Sequence, residues 1–304
     1  MTPAKIVLRD GVAVPYSKGL TAQAIMASGV APARSYALAI LIEERLPSGC
    51  VSVEELHALT EQVLADHDGP RALARYRSWQ ALGRLDRPLV VLIGGTAGTG
   101  KSTLATGLAH RLGITRLTST DTIRHILRTC FSADVMPHVH LSSFEARRAV
   151  GVLTVAGQDA DLLGFDVQAQ HVGAAVRAIV ARAIEERTPL ILEGVHLVPG
   201  VLGDLLALRA LVVHVMLEVS DEAAHRGHFE VRGELQSRGP VDRYLQGMPI
   251  IRKLQDHLVS RARAEGVRVV PVGSPDQVLS DVLEVVLEAV AAVPGEGDAD
   301  MLAA

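Results

Sequence analysis

Two rhythms of apolar residues divide the chain. Up to about residue 82, apolar positions recur three and four apart over 20–28, 32–46 and 52–80. That spacing predicts helices with one buried stripe. Ser52 stands at the start of the third helix with Glu55 three positions on, a capping box. Ahead of them, KIVLRDGVAVPYS places two short β-branched runs around Asp10-Gly11 and predicts a hairpin. Leu82 to Pro88 (LGRLDRP) mixes glycine, charge and proline and reads as a linker.

From Leu89 onward, continuous apolar runs alternate with longer helical stretches. The runs are LVVLIGG (89–95), ITRLTS (114–119), PLILEG (189–194), ALVVHVMLEV (210–219) and VRVVPV (267–272). Helical periodicity is clearest over 166–187, 221–235, 241–265 and 275–292. Strands apolar on both faces must be covered on both faces, so the pattern predicts an α/β fold with a doubly wound parallel five-stranded sheet. The expected domains are 1–87, small and mainly helical behind a β-hairpin; 88–292, the α/β domain; and 293–304, a flexible tail.

Composition narrows the function classes. Of the 304 residues, 48% are hydrophobic but only one is Trp, four Tyr and four Phe, so the core must be aliphatic. The formal net charge of −4 speaks against a nucleic-acid binder, which would need a strongly basic footprint. Lysine occurs only at Lys5, Lys18, Lys101 and Lys253, which makes a lysine inside a glycine-rich loop conspicuous. Cys50 and Cys130 have no metal or redox spacing and read as reduced thiols. MTPAKIVLRDG has no signal-peptide core, and no apolar run reaches membrane-helix length. A soluble cytoplasmic protein without membrane or nucleic-acid partners is expected; self-association stays open.

The chemistry starts at Gly95-Thr96-Ala97-Gly98-Thr99-Gly100-Lys101-Ser102, which matches G-x-x-x-x-G-K-[ST]. Glycines let the loop curl so that successive N–H groups point at phosphate oxygens, and a helix starting near Lys101 aims its positive end at them. Lys101 is expected to reach the β and γ phosphates, and Ser102 to ligate Mg²⁺. The second apolar run ends in TSTDTIRHILR, where Asp121 could orient an acceptor hydroxyl while Arg124 and Arg128 share one helix face toward an anionic substrate. Glu193, at the end of PLILEG, is placed as a second Mg²⁺ carboxylate, with His196 as a candidate substrate contact. After the fourth strand come Arg226 and Arg232, expected to close over the phosphates.

Together IGGTAGTGKST, STDTIRHILR, the SSFEA at Ser142 to Ala146, and ILEGVHLVPG resemble 2-phosphoglycerate kinases, P-loop kinases that make 2,3-bisphosphoglycerate from ATP and 2-phosphoglycerate. The first zone is similar to an ATP-cone, a small regulatory nucleotide-binding domain. The resemblance implies that Gly95 to Thr103 bind ATP. It also implies that Asp121, Arg124 and Glu193 lie at the Mg²⁺ and substrate site, with Ser142 and Ser143 on the acceptor side. Glu145 follows Phe144 where the family has small residues. In the cone-like zone, Arg9 and Lys18 become candidate phosphate contacts. Other readings are a kinase of this fold acting on another anionic small alcohol, such as an inositol phosphate or sugar acid, and a non-catalytic nucleotide sensor. A nucleic-acid-dependent ATPase is disfavoured by charge.

Overall fold

A computed structural model describes residues 5–9, 12–150, 159–200, 209–236 and 241–293. The chain divides into two compact units. One comprises Met1–Leu85 with Arg111–Gly113 and Leu283–Ala304, the other Asp86–His110 and Ile114–Val282.

In the first unit, β1 (Ile6–Arg9) pairs antiparallel with β2 (Val12–Pro15), as the hairpin pattern predicts. The turn at Asp10-Gly11 lies outside the described residues. A third strand, β3 (Cys50–Ser52), adds to β1 in parallel. Three residues are too few to show alternation, so the sequence does not display it. Four helices follow the pattern: α1 (Lys18–Ala27), α2 (Pro32–Arg45), α3 (Val53–His67) and α4 (Gly69–Leu82). The capping box forms in both directions, Ser52 Oγ accepting from the Glu55 amide at 3.1 Å and Glu55 Oε2 from the Ser52 amide at 2.8 Å. The single helix expected over 52–80 is two, because Gly69 takes φ +80° and Pro70 has no N–H to carry a helix through. Ile25, Leu38, Ile42, Val63, Leu64 and Tyr76 form the core of this unit.

The second unit starts with β4 (Leu89–Gly94), all six residues buried, and α5 (Lys101–Leu112). Then come β5 (Leu117–Ser119), α6 (Thr120–Cys130), two 3₁₀ turns (Pro137–His140 and Ser143–Ala149) and α7 (Ala160–Glu185). β6 (Leu190–Gly194), β7 (Leu211–Glu218), α8 (Glu222–Gln236), α9 (Val241–Gln246) and α10 (Met248–Ala264) follow, and β8 (Arg268–Pro271) and α11 (Pro275–Ala291) end the described chain. The five strands lie in the order β5-β6-β4-β7-β8, and every pairing is parallel. α7 begins at Ala160 rather than 166 because the Asp159 carboxylate caps it, accepting from the amides of Asp161 and Leu162. The helix expected over 241–265 is interrupted at Gly247, which gives α10 a fresh start with proline in its first turn. Val90, Leu92, Leu190 and Leu192 of the sheet pack with Val172, Val176 and Val180 of α7. Met216 packs with Phe229, Met248, Ile251, Leu254 and Leu258 of α8 and α10.

This strand order puts a reversal at β4: the chain leaves it toward β6 and β5 on one side and toward β7 and β8 on the other. A crevice at the carboxyl ends of the strands follows from that reversal, with the loop after β4, Glu193 of β6 and the start of α6 beside it.

Candidate active site

The loop between β4 and α5 has the backbone that its glycines allow. Gly95, Gly98 and Gly100 take φ values of +147°, +81° and +79°. At Gly98 a side chain is excluded twice over, since a Cβ there would lie 2.6 Å from the Phe229 ring. Inside the loop, Thr99 Oγ1 donates to the Thr96 carbonyl at 3.0 Å, and Lys101 Nζ donates to the same oxygen at 2.6 Å. Thr96 and Thr99 are buried. The curl therefore turns the lysine back over the loop that carries it, with the N-terminus of α5 alongside.

β6 delivers Glu193 beside this loop. In register it lies between Ile93 of β4 and Ser119 of β5. Its carboxylate is buried and accepts a hydrogen bond from Ser102 Oγ at 2.9 Å. The two residues assigned to Mg²⁺ from sequence thus meet across 91 positions of chain. A hydroxyl and a carboxylate are hard oxygen donors, the kind a small divalent cation takes alongside phosphate oxygens. Among the described residues no group of three or more His, Cys, Asp or Glu forms a ligand cluster.

Asp121 stands in the first turn of α6, directly after β5, with its side chain 72% exposed. Ser119 caps this helix, its hydroxyl accepting from the Thr122 amide at 3.0 Å. Arg124, one turn on, is 3.5 Å from Asp121 Oδ1, and its Nη1 donates to the carbonyls of Val139 and Leu141 at 3.0 and 2.9 Å. It ties the acid's helix to the 3₁₀ segment as well as facing the acid. Arg128 lies one further turn along and is exposed. Ser142 receives a hydrogen bond from Arg243 Nη2 at 2.8 Å, and the same guanidinium bonds Glu145; Ser143 is half-buried in the same turn. Arg243 holds the Glu145 carboxyl below the usual range.

His196 departs from its expected role. The ring is 0% exposed and both nitrogens are engaged. Gln168 donates through Nε2 to the Leu141 carbonyl, so its Oε1 is left to accept from His196 Nε2 at 2.9 Å. His196 Nδ1 then accepts from Thr120 Oγ1, also at 2.9 Å. Burial pushes the imidazole down to about 4, partly opposed by the charge of Asp121. No ring atom is left to touch a substrate; the histidine braces the residue before Asp121 against α7.

α8 brings Arg226 to the same region, 3.3 Å from Glu222 and 44% exposed in its side chain. The side chain of Arg232, and that of Arg9 in the first unit, lie outside the described residues. Lys18, the other candidate there, is committed to Glu43 at 3.0 Å. Sequence reasoning passed over the histidines of α8. His225 Nε2 donates to the Ala97 carbonyl at 2.7 Å, and His228 Nδ1 to the Gly98 carbonyl at 2.9 Å. The only sequence signal is HRGH itself, two histidines one helical turn apart after the fourth strand.

Residues 4–84 match the family model of the ATP cone domain. Over 260 residues the chain is 33% identical to a protein named 2-phosphoglycerate kinase from Methanothermobacter thermautotrophicus, covering 84% of this chain and 85% of that one. The protein of that name from Methanocaldococcus jannaschii is 35% identical over 87% of this chain and 85% of its own. That from Pyrococcus furiosus is 31% identical over 98% of each. No helix among the described residues is long and apolar enough to cross a membrane.

Proposed function

The chain belongs to the 2-phosphoglycerate kinase family, and on that premise we propose how its residues move the γ-phosphoryl group of ATP to the 3-hydroxyl of 2-phosphoglycerate, giving ADP and 2,3-bisphosphoglycerate. The observation that carries the reading is a convergence at three adjacent strands. β4 leads into the lysine loop, β6 carries Glu193 as its penultimate residue, and β5 runs into the helix that bears Asp121.

Residues Gly95 to Thr103 hold the triphosphate through backbone N–H groups and the start of α5. Lys101 supplies the positive charge that the leaving β-phosphate and the transferring γ-group require. Ser102 and Glu193 would hold Mg²⁺, which would supply positive charge against the phosphate oxygens. Asp121 accepts a hydrogen bond from the 3-hydroxyl and takes its proton as the oxygen–phosphorus bond forms and the bond to the β-oxygen breaks. Arg124 and Arg128 face the acceptor's phosphate and carboxylate, with Ser142 and Ser143 beside them, and Arg226 and Arg232 cover the phosphates from α8. Phosphoryl transfer is mostly positioning and charge neutralisation, so this division of labour needs no covalent intermediate. The same reading divides the chain into an ATP-cone-like regulatory domain over 1–87, a kinase domain over 88–292 and a tail.

The test is ADP release with a panel of acceptors: 2-phosphoglycerate, 3-phosphoglycerate, glycerate, an inositol phosphate and a sugar acid. Turnover confined to 2-phosphoglycerate is expected. Turnover with another acceptor and none with 2-phosphoglycerate rejects the substrate, and ATP binding without turnover on any acceptor makes the protein a sensor.

A further inference from the structure

The two histidines of α8 have no part in the chemistry above, yet both are aimed at the nucleotide loop. His225 is buried and donates to Ala97; His228 is exposed and donates to Gly98. Phe229 closes the space beneath Gly98 and lies 5.6 Å from the His225 ring at 18°, then 5.1 Å from Tyr244 at 13°. His225 is therefore held by an aromatic column, and both histidines bond the loop.

Resting on the reading of Gly95 to Thr103 as the ATP loop, we propose that His225 and His228 are positioning residues for the nucleotide. Each bonded carbonyl belongs to a peptide whose N–H is one residue on. A donor at Ala97 polarises the Gly98 amide, and one at Gly98 polarises the Thr99 amide, strengthening both toward phosphate oxygens. The same bonds restrict the backbone at Ala97 and Gly98, and Gly98's positive φ leaves a free loop many alternatives. Pre-ordering the loop lowers what ATP must spend on ordering it.

His228→Ala tests this without disturbing the core, and His228→Asn restores a donor near the position of Nδ1. His225→Gln likewise keeps a donor near Nε2, whereas His225→Phe removes it. On the full chain, KM for ATP and KM for 2-phosphoglycerate are measured together. MgATP binding is also titrated, counting only the component that Lys101→Ala abolishes, which sets aside nucleotide bound elsewhere. Loss of one neutral hydrogen bond predicts ATP affinity about fivefold weaker in His228→Ala, an acceptor KM unchanged within about twofold, and recovery in His228→Asn. Unchanged ATP affinity in His228→Ala, or ATP and acceptor KM rising together, overturns the proposal. Weakened Lys101-dependent ATP binding in a protein that does not turn over 2-phosphoglycerate would reject the substrate and leave the clamp standing.

Discussion

Lys101 is the one lysine of the loop, and no second cation within Gly95 to Thr103 can take its place. Lys101→Ala should cut kcat by about 10²–10³-fold, the cost of removing one preorganised charge from a transition state, measured as ADP release under saturating ATP. Near-normal turnover would contradict the assignment of the loop. Asp121 makes the opposite kind of prediction. Its carboxylate is exposed on α6, off the loop and off the Ser102–Glu193 contact. Asp121→Asn should therefore depress kcat while the dissociation constant for ATP stays within about twofold; an equal loss in both would move Asp121 to the nucleotide or the metal. The loop was legible in sequence because its chemistry is local and its spacing fixed. The place of Glu193 beside the loop was legible because the acid closes an apolar run next to the strand that carries the loop. His196 was not: a lone imidazole near an acid looks the same whether its nitrogens are spare or, as here, taken by Thr120 and Gln168. His225 and His228 were invisible for a related reason, since their partners are backbone carbonyls about 130 positions away, and any residue type could supply them.

The contact between β6 and α6 decides how far apart the acid pair stands. Gly194 ends β6 with φ +152°, and a Cβ there would lie 1.8 Å from Thr120 Oγ1. Either the strand end or the helix start must move, and with them Glu193 or Asp121. Gly194→Ala should lose roughly 1–3 kcal/mol of stability by overpacking, read from urea unfolding, and should lower kcat as well. Gly266→Ala is the control outside the site, because an added Cβ there meets nothing within 4 Å and only the backbone strain at φ +67° remains. If Gly194→Ala matched the parent protein in both measurements, the contact would not be setting the site. Elements were legible to different depths. The buried strands β4 and β6 announced themselves as continuous apolar runs, and the parallel pairing of the five strands followed from the pattern, whereas their order did not. Breaks were legible only in principle: Gly69-Pro70 and Gly247 sit in stretches whose apolar periodicity runs straight through them, so the helix signal outweighed the breakers. The 3₁₀ turns around Ser143 carry no periodic signal at all.

Across the whole molecule, buried neutral histidine ties stability to pH. His196 is fully enclosed and pushed down to about 4 by burial, and His214 on β7 is lowered likewise to about 4. In an unfolded chain both would titrate near 6.5. Above that pH neither state binds these protons, and the rings add no pH dependence. Between about 6.5 and about 4 the unfolded chain takes them up and the folded chain does not, so stability falls as pH falls; below the folded values the loss is complete. Carboxylates held below their ordinary range by arginine or lysine, Glu145 by Arg243 and Asp159 by Lys253, act with the same sign. They lose their stabilising charge as pH drops through their folded values, lower than the histidine window. The two contributions separate by substitution. His196→Gln keeps a donor toward Gln168 but cannot titrate, so it should be less stable at neutral pH and yet show a shallower decline on acidification. The expected flattening between pH 6.5 and 4.5 is up to about 1.4 kcal/mol per pH unit, one proton's worth, measured by urea unfolding at a series of pH values. His214→Leu should flatten the same window by a comparable amount. A decline as steep in both variants as in the parent protein would mean that the carboxylates alone set the acid limit and that His196 takes up its proton without unfolding the site.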